Sequence, residues 1–368
     1  MLSASRAHGR TGAAVATPGP APLVRDLASP SAGFTVEWDV RTLYDFLFSL
    51  TGDAGATDDL PETDRAWLRE TKAGLDPEIA ADVEELFAAQ LGIFLAAFVV
   101  ERPELTTLDE LLSVLEAVPT HELVATALRD FGHEHELAPL VERASAGDAE
   151  ARAALLAATP DLHGELLTLL DSPASTHQRL VRALRAWAVP FKAIEPRIRA
   201  IVERDAELRV VDRGAYSGSE LIERTTGGIR WLPEVGIRRV VLAPSYFSRP
   251  YNYLLAGEGW RFFGYPVSDD ALGVEDRLAP PLAMVRLHRA LGDETRLRIL
   301  KLLAGQDLYL TEIAQQLELS KPTIKHHLAL LRSAGLVTVI EAGSVIYYNL
   351  RRERLQAASG ELGAFLTD

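Results

Sequence analysis

At 368 residues the chain exceeds what one hydrophobic core usually supports, and its lack of cysteine excludes disulfides, thiolate metal ligands and a cysteine nucleophile. It carries 38 Lys and Arg against 52 Asp and Glu, a net charge of −14, and its 48% hydrophobic content suits a globular protein. The charge is unevenly divided: residues 280–368 hold 11 basic against 9 acidic side chains, a net of +2, whereas residues 1–279 hold 27 against 43, a net of −16. Two such parts are expected to meet different partners.

The first 30 residues, rich in Ala, Pro, Gly and Ser, lack the apolar core of a secretory signal and are expected to form a disordered tail. Apolar residues then recur at helical spacing over 39–50, 77–100, 107–118, 119–131 and 165–171. The most apolar stretch, "LFAAQLGIFLAAFVV" (86–100), runs 15 residues, short of the roughly 20 that a bilayer requires, so it reads as a buried helix and no membrane partner is expected. "FGHEHEL" places His133 and His135 beside Glu134 and Glu136, with His121 and His163 in the same helical region. Such spacing alone does not define a metal site, and a solvated helix turn is the preferred reading; no metal and no cofactor are expected. Pro190 and Pro196 are expected to interrupt the helical pattern of "LVRALRAWAVPFKAIEPRIRAIVERD".

After Gly227 and Gly228 the character changes, and "IRRVVLAPS" (237–245) and "WRFFGYPVS" (260–268) read as strands. The fold expected is mainly α with small β elements: a helical domain over 31–279 that ends in a small sheet, then a separate domain over 280–368. Between Tyr246 and Tyr265 stand 8 of the chain's 26 aromatic residues. Tyr246, Phe247, Tyr251, Tyr253, Trp260 and Phe262 are candidates to line a pocket for a small, mainly apolar organic ligand, or a dimer contact. The alternative is an aromatic core beneath the sheet. Arg249, between two of these clusters, either fixes an anionic ligand group or is solvated.

Pro280 and Pro281 mark the boundary, because no helix runs through that pair. Beyond them one helix is expected to about Leu291, a break at Gly292, and a second helix with Leu297, Leu300 and Leu303 on one face. Thr311 is a plausible N-cap for a third, with Ile313, Ala314 and Leu317 inward. Ser320 then caps a fourth, Pro322 is tolerated in its first turn, and Ile324, Leu328 and Leu331 form its buried stripe. "GLVTVIEAGSVIYYNL" (335–350) reads as a hairpin. Helix, helix, turn, helix and hairpin form a winged helix-turn-helix. With Ile324 inward, Thr323 and His326 project from the opposite side and Lys321 and Lys325 flank them, suited to base edges and phosphates in a major groove. His327 borders the buried stripe, with a structural or a groove role.

"LGDETRLRILKLLA", "LTEIAQQLELSKPTIKHHLALLRSAGLV" and "VIYYNL" resemble the ArsR/SmtB family of bacterial transcriptional repressors over residues 282–355. The resemblance implies a cytoplasmic homodimer that binds double-stranded DNA at a palindromic operator, with Ser320 to His327 entering the groove and Ser344 and Tyr347 on the wing. Two departures stand out. "GQDLYLTEIA" and "RRERLQAASGELGAFLTD", where relatives place metal ligands, contain neither Cys nor His, so metal sensing there is not expected. The wing turn holds Glu341 and Ser344 where relatives often carry Arg, which implies weaker phosphate contacts. "VVLAPSYFSRP … FFGYP" resembles large N-terminal domains of unknown function in some members. The function expected is a ligand-responsive repressor and not an enzyme; the alternatives are a DNA-binding protein whose first domain only dimerises, or an enzyme domain fused to a DNA-binding one.

Overall fold

The computed structural model describes residues 24–26, 33–88, 91–128, 137–158, 170–273, 280–342 and 345–367. Strands β1 (Val24–Asp26) and β2 (Thr35–Trp38) lead into α1 (Leu43–Phe48), which is buried at every position. There follow α2 (Glu62–Ala73), α3 (Pro77–Ala88), α4 (Leu91–Val100), α5 (Leu108–Ala117), α6 (Thr120–Leu128), α7 (Ala138–Ser145) and α8 (Ala149–Ala158). The long α9 (Pro173–Leu208) packs along α3, α5 and α6. Then α10 (Val210–Ala215) and α11 (Gly218–Thr225) precede β3 (Ile229–Leu232), β4 (Arg239–Ser245), β5 (Tyr253–Gly257) and β6 (Trp260–Pro266).

One sheet has the order β1-β2-β4-β6-β5, with β2, β4 and β6 parallel and the outer strands antiparallel. Parallel strands need cover on both faces, and alternation along the chain supplies two apolar faces here. Val241, Ala243 and Phe262 join the helical core, whereas Val240, Leu242 and Phe263 face a second cluster with Trp231, Leu221 and Ile222. The expected strands are present. The sheet is not confined to the end of the domain, however, because β2 comes from its beginning and pairs Val36 with Val240. A four-residue strand is too short for periodicity to reveal.

Three expectations are corrected. Pro190 and Pro196 do not interrupt α9; both lie inside it. Each removes a backbone hydrogen bond, but burial of Trp187, Ala188, Phe191, Ile198 and Ile201 along the same stretch holds the helix together. The run 77–100 is two helices inclined at 74°, and Gly92 is where α4 meets α1: a Cβ there would stand 2.5 Å from the carbonyl oxygen of Leu47. Within the expected tail, Val24–Asp26 pair with β2; the rest of residues 1–30 lies outside the described residues, as do His133, Glu134, His135, Glu136 and His163. Among the described residues no single helix is long and apolar enough to cross a membrane.

The C-terminal part is a winged helix: α12 (Leu282–Leu291), α13 (Glu294–Leu303), β7 (Leu308–Tyr309), α14 (Leu310–Leu317), α15 (Lys321–Ser333), β8 (Val337–Ala342), β9 (Val345–Leu350) and α16 (Arg352–Thr367). Asp293 caps α13 by accepting from the Arg296 amide at 2.8 Å. Thr311 is not the cap of α14, which begins one residue earlier; the Tyr309 amide instead donates to Glu312 Oε2 at 2.9 Å. The wing hairpin continues into the first domain, since β3 pairs in parallel with β8 in the order β3-β8-β9-β7. The division expected at residue 280 is therefore crossed by a shared sheet.

Phe191 is fully buried, with Phe46 5.3 Å away edge-on and Phe247 at 6.4 Å, so it ties α9 to α1 and to the loop after β4. Phe191→Ala should lower the unfolding free energy by about 3–5 kcal/mol in a denaturant titration, the usual loss when an aromatic leaves a packed core.

Candidate nucleic-acid interface

Local chemistry sets the start of α15. The Ser320 hydroxyl accepts from the Thr323 amide at 3.3 Å and lies 2.7 Å from Thr323 Oγ1, and Pro322 occupies the first turn, where no amide hydrogen is missed. Ile324, Leu328 and Leu331 enter the winged-helix core with Leu287, Ile299 and Ile313. That anchoring leaves Lys321, Thr323 and Lys325 exposed on the N-terminal half of the helix. His327 is placed structurally: its Nδ1 is 3.8 Å from Asp293 Oδ1, and burial pushes its pKa down despite that carboxylate. On the wing, the half-buried Tyr347 meets Tyr309 edge-on at 5.5 Å. Ser344 lies outside the described residues.

His326 is not freely presented. Its Nδ1 lies 2.8 Å from the hydroxyl of Tyr251, a residue of the first domain that is itself buried. A second contact of the same helix is made by Arg332. Its guanidinium is buried and donates from Nη1 to the Thr226 carbonyl at 3.1 Å and from Nη2 to the Pro250 carbonyl at 2.8 Å. Burial lowers its pKa to about 10. A third contact is ionic: on α12, Arg286 grips Asp269 through Nη1 at 2.7 Å and Nη2 at 2.6 Å, and its Nε reaches Asp59 at 2.5 Å. Burial alone would raise the Asp269 pKa, but Arg286 and then Arg249 hold it below the usual carboxylate range. These contacts were missed because each partner is distant in sequence.

The aromatic group occupies the core. Tyr246, Phe247, Tyr251, Tyr253, Trp260 and Phe262 are all buried. Phe247 packs on Trp67 at 5.7 Å, Tyr253 on Phe48 at 4.6 Å and Phe262 on Tyr44 at 5.0 Å. Their rings pack against one another and the helices, so the apolar pocket expected of them gives way to the aromatic-core alternative. Arg249 is neither solvated nor free for a ligand; it donates to the Asp59 and Val267 carbonyls and to Asp269. Beside it lies a cavity of about 250 Å³, bordered by Arg249, Pro250, Ser268 and Asp269 of the first domain and by Arg286 and Ser333 of the second. It sits just beyond the carboxyl ends of β4 and β6. Among the described residues no three His, Asp or Glu side chains converge as a metal site would require.

The loop after β4, which carries Arg249 and Tyr251, is pinned by the fully buried Asp45. Its Oδ1 accepts from the Ser245 hydroxyl and from the amides of Tyr246 and Phe247 at 2.8, 2.7 and 2.9 Å. Burial nevertheless raises its pKa to about 7, the three donors offsetting only part of that cost.

A capped, cation-bearing second helix of a helix-turn-helix, with a β-hairpin beside it, defines a winged-helix DNA-binding domain. Comparison with known proteins narrows the class. The family model described as "Bacterial regulatory protein, arsR family" matches residues 293–339. The chain is 40% identical over 73 residues to the transcriptional repressor SdpR of Bacillus subtilis, a match covering 20% of this chain and 81% of that one. It is 40% identical over 80 residues to the HTH-type transcriptional regulator CmtR of Mycobacterium tuberculosis, covering 22% and 68%. It is 39% identical over 77 residues to the arsenic resistance transcriptional regulator ArsR1 of Pseudomonas putida, covering 21% and 57%. The chain belongs to the arsR family of bacterial regulatory proteins and is a DNA-binding transcriptional regulator.

Because the folded pKa of Asp45, about 7, lies above its ordinary value of 3.8, the folded chain keeps a proton that the unfolded chain has released between those values. That contribution to stability is complete below about pH 4 and is lost as pH rises through about 7, with a slope of up to about 1.4 kcal/mol per unit. In Asp45→Asn, denaturation midpoints followed from pH 4 to 8 should fall less steeply than in the parent.

Proposed function

We propose that the chain is a homodimeric, cytoplasmic transcriptional repressor that binds a palindromic operator through α15, its first domain acting as the regulatory input. The observation that carries the reading is the exposed Lys321, Thr323 and Lys325 on a helix fixed by the Ser320 cap and the Ile324, Leu328 and Leu331 anchor, in a domain of the arsR family. Lys321 and Lys325 are assigned to phosphates and Thr323 to a base edge, with Tyr347 and Ser344 on the wing side. Dimerisation is assigned to α12 and α16, which pack together and leave Leu282, Leu362, Phe365 and Leu366 exposed. No catalytic role is assigned.

A ligand role is supported by the cavity that the mutually paired Arg249, Asp269 and Arg286 border together with Ser268 and Ser333, a polar lining that fits a small polar molecule better than the apolar one the aromatic density suggests. In a thermal-shift screen, a compound at 100 times its dissociation constant should add about 2.7 kcal/mol of stability. If no small polar compound raises the melting temperature, the first domain is reduced to dimerisation or scaffolding.

Gel shifts on duplexes selected from a random pool test the DNA assignment. Thr323→Ala should cost about 1–3 kcal/mol on the selected duplex and less on unrelated DNA, as a lost base contact does. Lys325→Ala should weaken binding to all sequences and flatten the slope of log affinity against log salt by about 1. An unchanged salt slope would remove Lys325 from the phosphate contacts.

A further inference from the structure

We propose that the structure is a closed form in which the first domain occupies the base-reading face of α15, so that docking on that domain and docking on DNA exclude each other. The inference rests on the DNA-binding reading above and adds to it a built-in inhibitory contact.

Helix phase carries the first step. Successive residues of an α-helix are turned by about 100°, so His326, Ala329 and Ser333 lie at about 200°, 140° and 180° from Ile324, which faces the winged-helix core. They form the stripe opposite the core, and the second helix of a helix-turn-helix turns that face to the groove. All three meet the first domain here. His326 contacts the Tyr251 hydroxyl at 2.8 Å, Ala329 packs against the first domain's apolar core, and Ser333 borders the cavity with Arg249 and Pro250. A duplex seated on Thr323 and Lys325 would meet Tyr251 and the loop behind it.

The contacts that hold this arrangement differ in kind from a permanent core. Arg332 is buried with two carbonyl oxygens for partners, and no carboxylate among the described residues pairs with it. A buried cation held that way carries a desolvation cost that water, or a DNA phosphate, would relieve. Arg286 joins the two sides through Asp59 and Asp269, and the cavity beside it leaves the seam incompletely packed. The firmer link lies elsewhere, in the β3–β8 pairing and the packing of Val339 with Trp231 in one apolar cluster. That link serves as a pivot: β3 is preceded by Gly227 and Gly228, with φ of 71° and 119°, and α12 follows the Pro280–Pro281 junction. Rotation about it lifts α15 from Tyr251 without unfolding either domain.

The full-length chain tests this, because it has no cysteine of its own. Ser268→Cys with Ser333→Cys places one thiol on each side of the cavity, and a short bis-maleimide closes the seam covalently. The same protein carrying a mono-maleimide on each thiol is the uncross-linked reference, which removes the effect of bulk at Ser333. A complementary release variant, Tyr251→Phe with Arg286→Gln, cuts the seam while leaving Asp269 to Arg249. On a duplex selected from a random pool by the uncross-linked protein, cross-linking should weaken binding by about 5- to 150-fold, the range of ordinary allosteric coupling. The release variant should bind more tightly than the parent, and its residues 321–333 should exchange amide hydrogens faster. Equal affinity of the cross-linked and uncross-linked proteins would overturn the proposal while leaving the DNA-binding reading intact. Should no form retain any duplex, the DNA-binding reading falls and the inference falls with it.

Discussion

One helix is packed on two sides, and most of the molecule's organisation follows from that. The first side of α15 gives Ile324, Leu328 and Leu331 to the winged-helix core; the second gives His326, Ala329 and Arg332 to the larger domain. A helix has room for two such faces because its side chains radiate around the axis, but it then has little surface left for a third partner. What remains outward is the first turn and a half, with Lys321, Thr323 and Lys325. The larger domain is thus not an appendage on a linker. It shares a sheet with the wing through β3 and β8 and shares ion pairs with α12 through Arg286.

The winged helix was legible in the sequence because its determinants are local. A serine cap followed by proline, an apolar stripe and two short strands close in sequence are each set within a dozen or so residues, and the structure shows them nearly where the spacing puts them. The placement of α15 against the larger domain was not legible. Tyr251 and His326 are 75 positions apart, and Arg332 is 106 from Thr226, so no periodicity links them. The one local hint was Arg332 itself, a cation adjoining the buried stripe in "LALLRSAGLV", where an apolar or small residue would be the simpler choice. The prolines of α9 misled for the opposite reason: a local rule was overridden by long-range packing.

The aromatic density between Tyr246 and Tyr265 shows what composition can and cannot say. It marked a region of high burial correctly. Whether large rings line a space or fill one depends on what the rest of the chain brings, and here α1, α2 and α9 supply Tyr44, Phe48, Trp67 and Phe191 to fill it. Space remains instead where charged groups meet, at the carboxyl ends of β4 and β6, because Arg249, Arg286 and Asp269 satisfy one another at fixed distances and cannot collapse as alkyl groups do. Crevices at the carboxyl ends of parallel strands are where open α/β sheets generally admit ligands.

Charge distribution gains a geometric meaning from the same seam. A domain of net −16 beside one of net +2 would matter little if a long linker separated them, since exposed charges are screened within about 8 Å at physiological salt. Here the acidic domain touches, at Tyr251 and His326, the helix that carries Lys321 and Lys325, so a phosphate backbone approaching α15 also approaches the acidic domain. Docking therefore opposes DNA by occupying the face at His326 and by bringing a domain of net negative charge up to the helix that attracts the duplex. Arg332 bears on the balance between the two states. With carbonyl oxygens as its buried partners, it is held less firmly than an ion pair would hold it, and separation of the domains returns it to water on the very helix that needs positive charge. An apolar side chain at that position would leave the Pro250 carbonyl without this donor in the docked state and would add no charge in the separated one, so the arginine serves a helix that has two places to go.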